Sequence, residues 1–90
     1  MEIGDVRIRE VKNSDGKLRA VASITIDGCF VVHDIKIYES EGQFFVAMPS
    51  RKTPEGTFKD IAHPLNSETR EYIQRVILEK YAEARVGSAD

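Results

Sequence analysis

The side chains best suited to chemistry in this 90-residue chain are cations and hydroxyls, and they cluster at Ser50-Arg51-Lys52-Thr53. Each can donate a hydrogen bond to a phosphate oxygen, and Pro49 and Pro54 flank them and stiffen the segment. Lys59 follows a few residues on, with Arg70 and Arg75 later in the chain. Two adjacent cations are, as a rule, simply part of a solvated loop, so the cluster alone does not decide between a surface and a phosphate site. A second cationic set, Arg7, Arg9, Lys17 and Arg19, is diluted by Asp5, Glu10 and Asp15 beside it.

Other chemistries find less support. The candidate metal ligands are Cys29, His33, Asp34 and His63, and no pair among them has a zinc-motif spacing. A Cys-His nucleophile would need Cys29 beside a histidine, yet His33 lies four residues along the same strand, about 13 Å away at about 3.3 Å per residue. Gly16, Gly28, Gly42 and Gly56 are isolated turn glycines and build no phosphate-cradling loop. The chain is therefore expected to be neither an enzyme nor a holder of a metal or cofactor.

Composition bounds the reading further. Thirteen Lys and Arg stand against fifteen Asp and Glu, a net charge of −2, so any nucleic-acid contact must come from local clustering. One cysteine excludes an internal disulfide framework and fits a reducing compartment. The longest apolar run, Phe44 to Met48, falls far short of the roughly 20 residues of a membrane helix, so a cytoplasmic protein without membrane insertion is expected. A chain this short buries only about 60–65% of its unfolded surface, which favours support from a partner subunit.

The elements that must position these side chains follow from hydrophobic period. Val6 and Ile8 alternate with Arg7 and Arg9, a half-buried strand ending near Val11, and Asn13-Ser14-Asp15-Gly16 has turn chemistry. Leu18, Ala20, Ala22, Ile24 and Ile26 then share one face up to Asp27-Gly28, a two-residue hairpin signal. That loop sets Ile26 opposite Cys29, Ile24 opposite Val31, Ala22 opposite His33, Ala20 opposite Ile35 and Leu18 opposite Ile37, which makes His33 a core histidine. The reverse face then carries Phe30, Val32 and Val21, and needs a cover from the helix or a second subunit. Glu39-Ser40-Glu41-Gly42 reads as a turn, Phe44 to Met48 as a strand, Ser50 to Thr57 as a loop, and Phe58 to Ala62 as a short strand.

From Asn66 the period becomes helical, with Asn66 or Ser67 as the cap and Ile73, Val76, Ile77, Tyr81 and Ala84 in one stripe. Gly87 is the expected stop, with 86–90 a frayed tail after a single domain spanning 1–85. The fold class is α+β, an antiparallel β-meander of about four to five strands with one C-terminal α-helix.

Several ordered runs resemble the family of SpoVG, stage V sporulation protein G. They are Asp5-Val6-Arg7-Ile8-Arg9, Arg19-Ala20-Val21-Ala22-Ser23-Ile24-Thr25-Ile26 and Phe30-Val31-Val32-His33-Asp34-Ile35. The most specific are Phe45-Val46-Ala47-Met48-Pro49-Ser50-Arg51-Lys52-Thr53-Pro54 and Phe58-Lys59-Asp60-Ile61-Ala62-His63-Pro64-Leu65-Asn66. The resemblance runs from residue 1 to about 82. It implies a bacterial, cytoplasmic homodimer of sheet plus helix that regulates septation and sporulation and binds DNA and RNA. Onto this chain it carries no catalytic motif, and it points to Arg51, Lys52, Thr53, Lys59, Arg70 and Arg75 as the nucleic-acid-binding residues. The other class open to the chain is a non-enzymatic protein–protein adaptor of the cell-division machinery, working through the reverse sheet face or an open sheet edge.

Overall fold

The computed structural model describes residues 1–11 and 16–88, with side chains described through residue 84. Four strands form one antiparallel sheet in the order β1-β2-β3-β4: β1 (Ile3–Glu10), β2 (Leu18–Ile26), β3 (Phe30–Ser40) and β4 (Gln43–Ala47). A separate two-stranded hairpin follows, β5 (Ser50–Lys52) and β6 (Phe58–Asp60), and then one helix, α1 (Ser67–Ser88). This is the expected α+β meander with a C-terminal helix. The segment expected to be a loop, Ser50 to Thr57, instead contributes β5 and the turn of that hairpin. Of the turn read at Asn13-Ser14-Asp15-Gly16, the first three residues lie outside the described residues.

One face of the sheet is the core. Val6 from β1, Ala20, Ala22 and Ile24 from β2, and Ile35 and Ile37 from β3 are buried together with Ile73, Ile77 and Tyr81 of α1. The helix meets both edge strands, β1 and β4, so it lies across the sheet rather than along one strand. At the β4 side the Phe44 and Tyr81 rings meet edge-to-face, with centroids 5.4 Å apart and planes at 68°. At the β1 side the Ile3 backbone N–H donates to the Tyr72 hydroxyl at 3.1 Å. Leu78, absent from the expected stripe, also packs against the core and widens the apolar face of the helix.

Register is where the sequence reading fails, and the cause is local. The β2–β3 loop has three residues, not two: Ile26 pairs with Phe30, and Asp27, Gly28 and Cys29 lie between them. Asp27 and Gly28 take positive φ, at 54° and 67°. Further along, Ala22 pairs with Ile35 and Ile24 with Val32, so two steps on β2 match three on β3. His33 and Asp34 thus form a β-bulge opposite Ser23, and Asp34 sits at φ 61°.

The bulge reverses which parity of β3 faces the core. Val32 points in on one side of it, and Ile35 and Ile37 point in on the other. His33 is therefore exposed, which corrects its reading as a core histidine, and Cys29 and Val31 are exposed as well. Val32 leaves the reverse face for the core side, Phe30 shares its parity but is exposed at the strand end, and Val31 is exposed on the opposite face. Similar register shifts occur at Gly4 in β1 and at Arg19 in β2. The first lets Ile3 and Val6, an odd step apart, both pack inward.

The remaining boundaries follow turn and cap chemistry. Glu41 and Gly42, both at positive φ, join β3 to β4 as a two-residue hairpin closed by the Ser40–Gln43 pair. Asn66 caps α1, its Oδ1 accepting the Thr69 N–H at 2.7 Å, with Glu68 in the first turn favourable to the helix dipole. The helix runs through Gly87 to Ser88, so Gly87 does not stop it.

Two stability predictions follow from this packing. Ile77→Ala should lower unfolding free energy by about 2–5 kcal/mol through cavity formation, and Asn66→Ala by about 1 kcal/mol through loss of the cap, both read by urea denaturation. Asp34→Val should cost about 1–2 kcal/mol in the same assay, because a β-branched residue resists the left-handed backbone that the bulge requires.

Candidate functional site

The β5–β6 hairpin gathers most of the cationic cluster, and its period-two geometry sorts it by face. Register pairs Ser50 with Asp60, Arg51 with Lys59 and Lys52 with Phe58. Adjacent residues point to opposite sides of a strand, so Arg51 and Lys52 do not act side by side as expected of a loop. One face carries Arg51 and Lys59, directly opposed, with Thr53 and Thr57 at the turn end. The other carries Lys52, Phe58, Ser50 and Asp60. All six strand residues are exposed, so neither face of this arm is covered.

The turn is locally braced. The Gly56 N–H donates to the Thr53 carbonyl at 2.9 Å, and the Thr53 N–H donates to the Thr57 carbonyl at 2.7 Å. Pro54 presets φ at about −65° at the second turn position, and Gly56 supplies φ 88° at the last. The Thr53 and Thr57 hydroxyls meet at 2.8 Å, and Thr53 Oγ1 also accepts the Thr57 N–H at 3.3 Å. Thr53 is thus first a turn-stabilising residue. Two hydroxyls share one hydrogen bond, which leaves one O–H of the pair able to donate outward. At the base, the Ile61 N–H donates to the Pro49 carbonyl at 2.7 Å and closes the arm.

Opposed cations are a cost to a hairpin. Among the described residues neither Arg51 nor Lys59 has an ion-pair partner, and neither do Lys52 and Arg70. The ion pairs that do form lie on the main sheet: Arg7 Nε with Asp5 Oδ2 and Arg19 Nε with Glu39 Oε1, each at 3.1 Å. Arg19 also donates to the Gly16 carbonyl at 3.2 Å. The second cationic set is therefore partly neutralised within the sheet. Its Arg7 and Arg9 line an open concavity of about 450 Å³ with Val21, Ser23, His33 and Asp34.

The helical arginines are placed differently from each other. Arg70 is exposed in the first turn of α1, where a cation works against the helix dipole. Arg75 sits over the Tyr72 ring, 5.7 Å from its centroid, and five residues on a helix separate it from Arg70 by about 140°. His63 Nδ1 lies 3.0 Å from the Pro64 carbonyl oxygen. Cys29 is exposed in the β2–β3 loop. Among the described residues no helix is long and apolar enough to cross a membrane.

The sequence reading missed the aromatic and aliphatic side chains around the arm. Phe58 is 71% exposed, Ile61 67% and Leu65 91%. The signal was present, since Phe58 alternates with the cation Lys59, but it emerges only once residues 50–52 are seen as a strand pairing with it. Phe44 and Phe45 divide: Phe44 packs on Tyr81 and Phe45 is exposed on the reverse sheet face.

Comparison with known proteins agrees with the sequence resemblance. The SpoVG family model matches residues 1–83. A protein of Caldicellulosiruptor bescii named "Putative septation protein SpoVG" is 59% identical over 81 residues, covering 90% of this chain and 91% of its own length. Proteins of the same name from Acetivibrio thermocellus and Caldanaerobacter subterraneus subsp. tengcongensis are 58% and 54% identical over 90 residues, covering all of this chain and 95% and 98% of their own lengths. A match that spans both the sheet and the helix, at this identity, leaves one assignment: the chain belongs to the SpoVG family.

Proposed function

We propose that this chain is a dimeric DNA- and RNA-binding regulator that acts in septation. The observation that carries the reading is the Arg51–Lys59 pair. Two unpaired cations held opposite each other, with a threonine hydroxyl pair beside them, make a face whose mutual repulsion a phosphate would relieve. Lys52 adds charge from the other face of the arm, and Arg70 and Arg75 add cations on α1, about 140° apart around it. The whole chain carries a net charge of −2, which keeps the affinity modest and concentrates it on this arm. The septation role rests on the names of the relatives and on family membership.

Dimerisation suits both the energetics and the surface. Leu65 and Ile61, each more than two-thirds exposed, are costly on an isolated chain and are natural contacts between copies. Two arms double the phosphates engaged. If each subunit neutralises about three, log K should fall with log salt at a slope of about −5 on duplex DNA.

A second reading, a protein–protein adaptor of the division machinery, is favoured by one observation. The first half of β3, residues 30–34, extends past β4, which pairs only with Lys36 to Ser40, and Phe30 and Val31 are exposed there. An open edge with apolar side chains suits strand addition by a partner. Val32, which the sequence placed on that surface, packs against the core and takes no part.

Fluorescence anisotropy against labelled duplex DNA and single-stranded RNA, at two salt concentrations and with mass from light scattering, tests the leading reading. Arg51→Ala with Lys59→Ala should flatten the salt slope to about −2 while leaving the melting temperature unchanged or raised, because a repulsive pair is removed. Unchanged affinity in that double variant would reject the arm as the phosphate site, and absence of binding by the wild-type dimer at low salt would favour the adaptor.

A further inference from the structure

We infer that Phe58 makes the arm a reader of unpaired bases, so that the ligand class of this site is single-stranded nucleic acid held by stacking on that ring. The inference rests on the phosphate-binding reading of the same arm and adds what the cations cannot supply, a preference between strand forms.

Phe58 is 71% exposed, the most exposed phenylalanine among the apolar side chains left open. Its partner across the hairpin is Lys52 and its neighbour in sequence is Lys59. Among the described residues no aromatic ring packs on it and no cation lies over it, in contrast to Phe44, which meets Tyr81, and Tyr72, which lies under Arg75. The ring face is open on a strand flanked by positive charge. Cationic tracks that hold the backbone, with aromatics on which bases stack, are the general composition of single-strand sites.

The division of the arm into two faces gives the geometry. Arg51, Lys59, Thr53 and Thr57 share one side and offer two cations and two hydroxyls. Phe58 shares the other side with Lys52, Ser50 and Asp60. The Asp60 carboxylate repels phosphate from that side and accepts hydrogen bonds from base amino groups. A single strand passing along the β6 edge therefore lays its phosphates against Lys59 and Arg51, and turns a base onto Phe58. In a duplex the base faces are occupied by their neighbours in the stack, so a duplex engages the cations and leaves the ring idle.

The chain contains no tryptophan, so Phe58→Trp introduces a single indole reporter at the contact, excited at the red edge apart from the three tyrosines. Its emission should be quenched on titration with an unlabelled single-stranded oligonucleotide and hardly altered by the duplex of the same sequence. Anisotropy titrations of Phe58→Leu, which keeps apolar bulk and removes the stacking face, should show roughly a ten-fold loss of single-strand affinity and no loss for the duplex. Arg51→Ala with Lys59→Ala should weaken both forms. The exposure of Phe58 means that neither substitution at this position disturbs the core, and circular dichroism checks the fold.

Equal effects of Phe58→Leu on both strand forms, or no effect on either, overturn the stacking role while leaving phosphate binding by the arm intact. If Phe58→Leu changes the mass by light scattering, the ring belongs to the contact between copies and the inference is overturned. A wild-type protein that binds neither strand form overturns both readings together.

Discussion

One helix has to cover one face of a four-stranded sheet, and nearly every irregularity in the molecule serves that requirement. Ile73, Ile77 and Tyr81 present a stripe with a helical period, and the sheet below must present apolar side chains continuously across four strands of fixed period two. Strict alternation cannot do this when the apolar residues are unevenly spaced in sequence. Register shifts at Gly4 and at His33-Asp34 repair the mismatch. The second tolerates a left-handed aspartate so that Val32, Ile35 and Ile37 can all face the helix.

Much of this was legible in the sequence because it depends on local periodicity. The strands of the meander, the helix, its Asn66 cap and the buried set Ala20, Ala22, Ile24, Ile35, Ile37, Ile73 and Ile77 all follow from apolar spacing and capping chemistry. What was not legible is register. A third residue in the Asp27-Gly28-Cys29 loop and one extra residue in β3 displace the pairing by one step near the turn and by two beyond the bulge. Those two shifts moved His33 and Val31 out of the core and Val32 into it. Neither leaves a mark on composition or on apolar spacing.

The same limit shaped the reading of the arm. Residues 50–57 look like a loop because Pro54 and Gly56 punctuate them and no apolar alternation marks them as strand. The hairpin is held instead by backbone hydrogen bonds and the Thr53–Thr57 contact, which hydrophobic pattern does not report. Once it is paired, the cationic run divides between two faces, and its pairing partners become more informative than its neighbours. Lys59 matters to Arg51 more than Lys52 does. Without the pairing, Phe58 reads as one more apolar residue in a short strand.

The placement of the covering helix after every strand carries a consequence for synthesis. The sheet is complete in sequence by Ala47, whereas the side chains that shield its apolar face lie between Ile73 and Tyr81. At translation rates of about 5–20 residues per second, that face waits on the order of seconds for its cover. Over that interval the nascent chain offers an open apolar sheet to its surroundings, and the time spent before Tyr81 emerges, more than the stability of the finished fold, sets its exposure to chaperones and to aggregation.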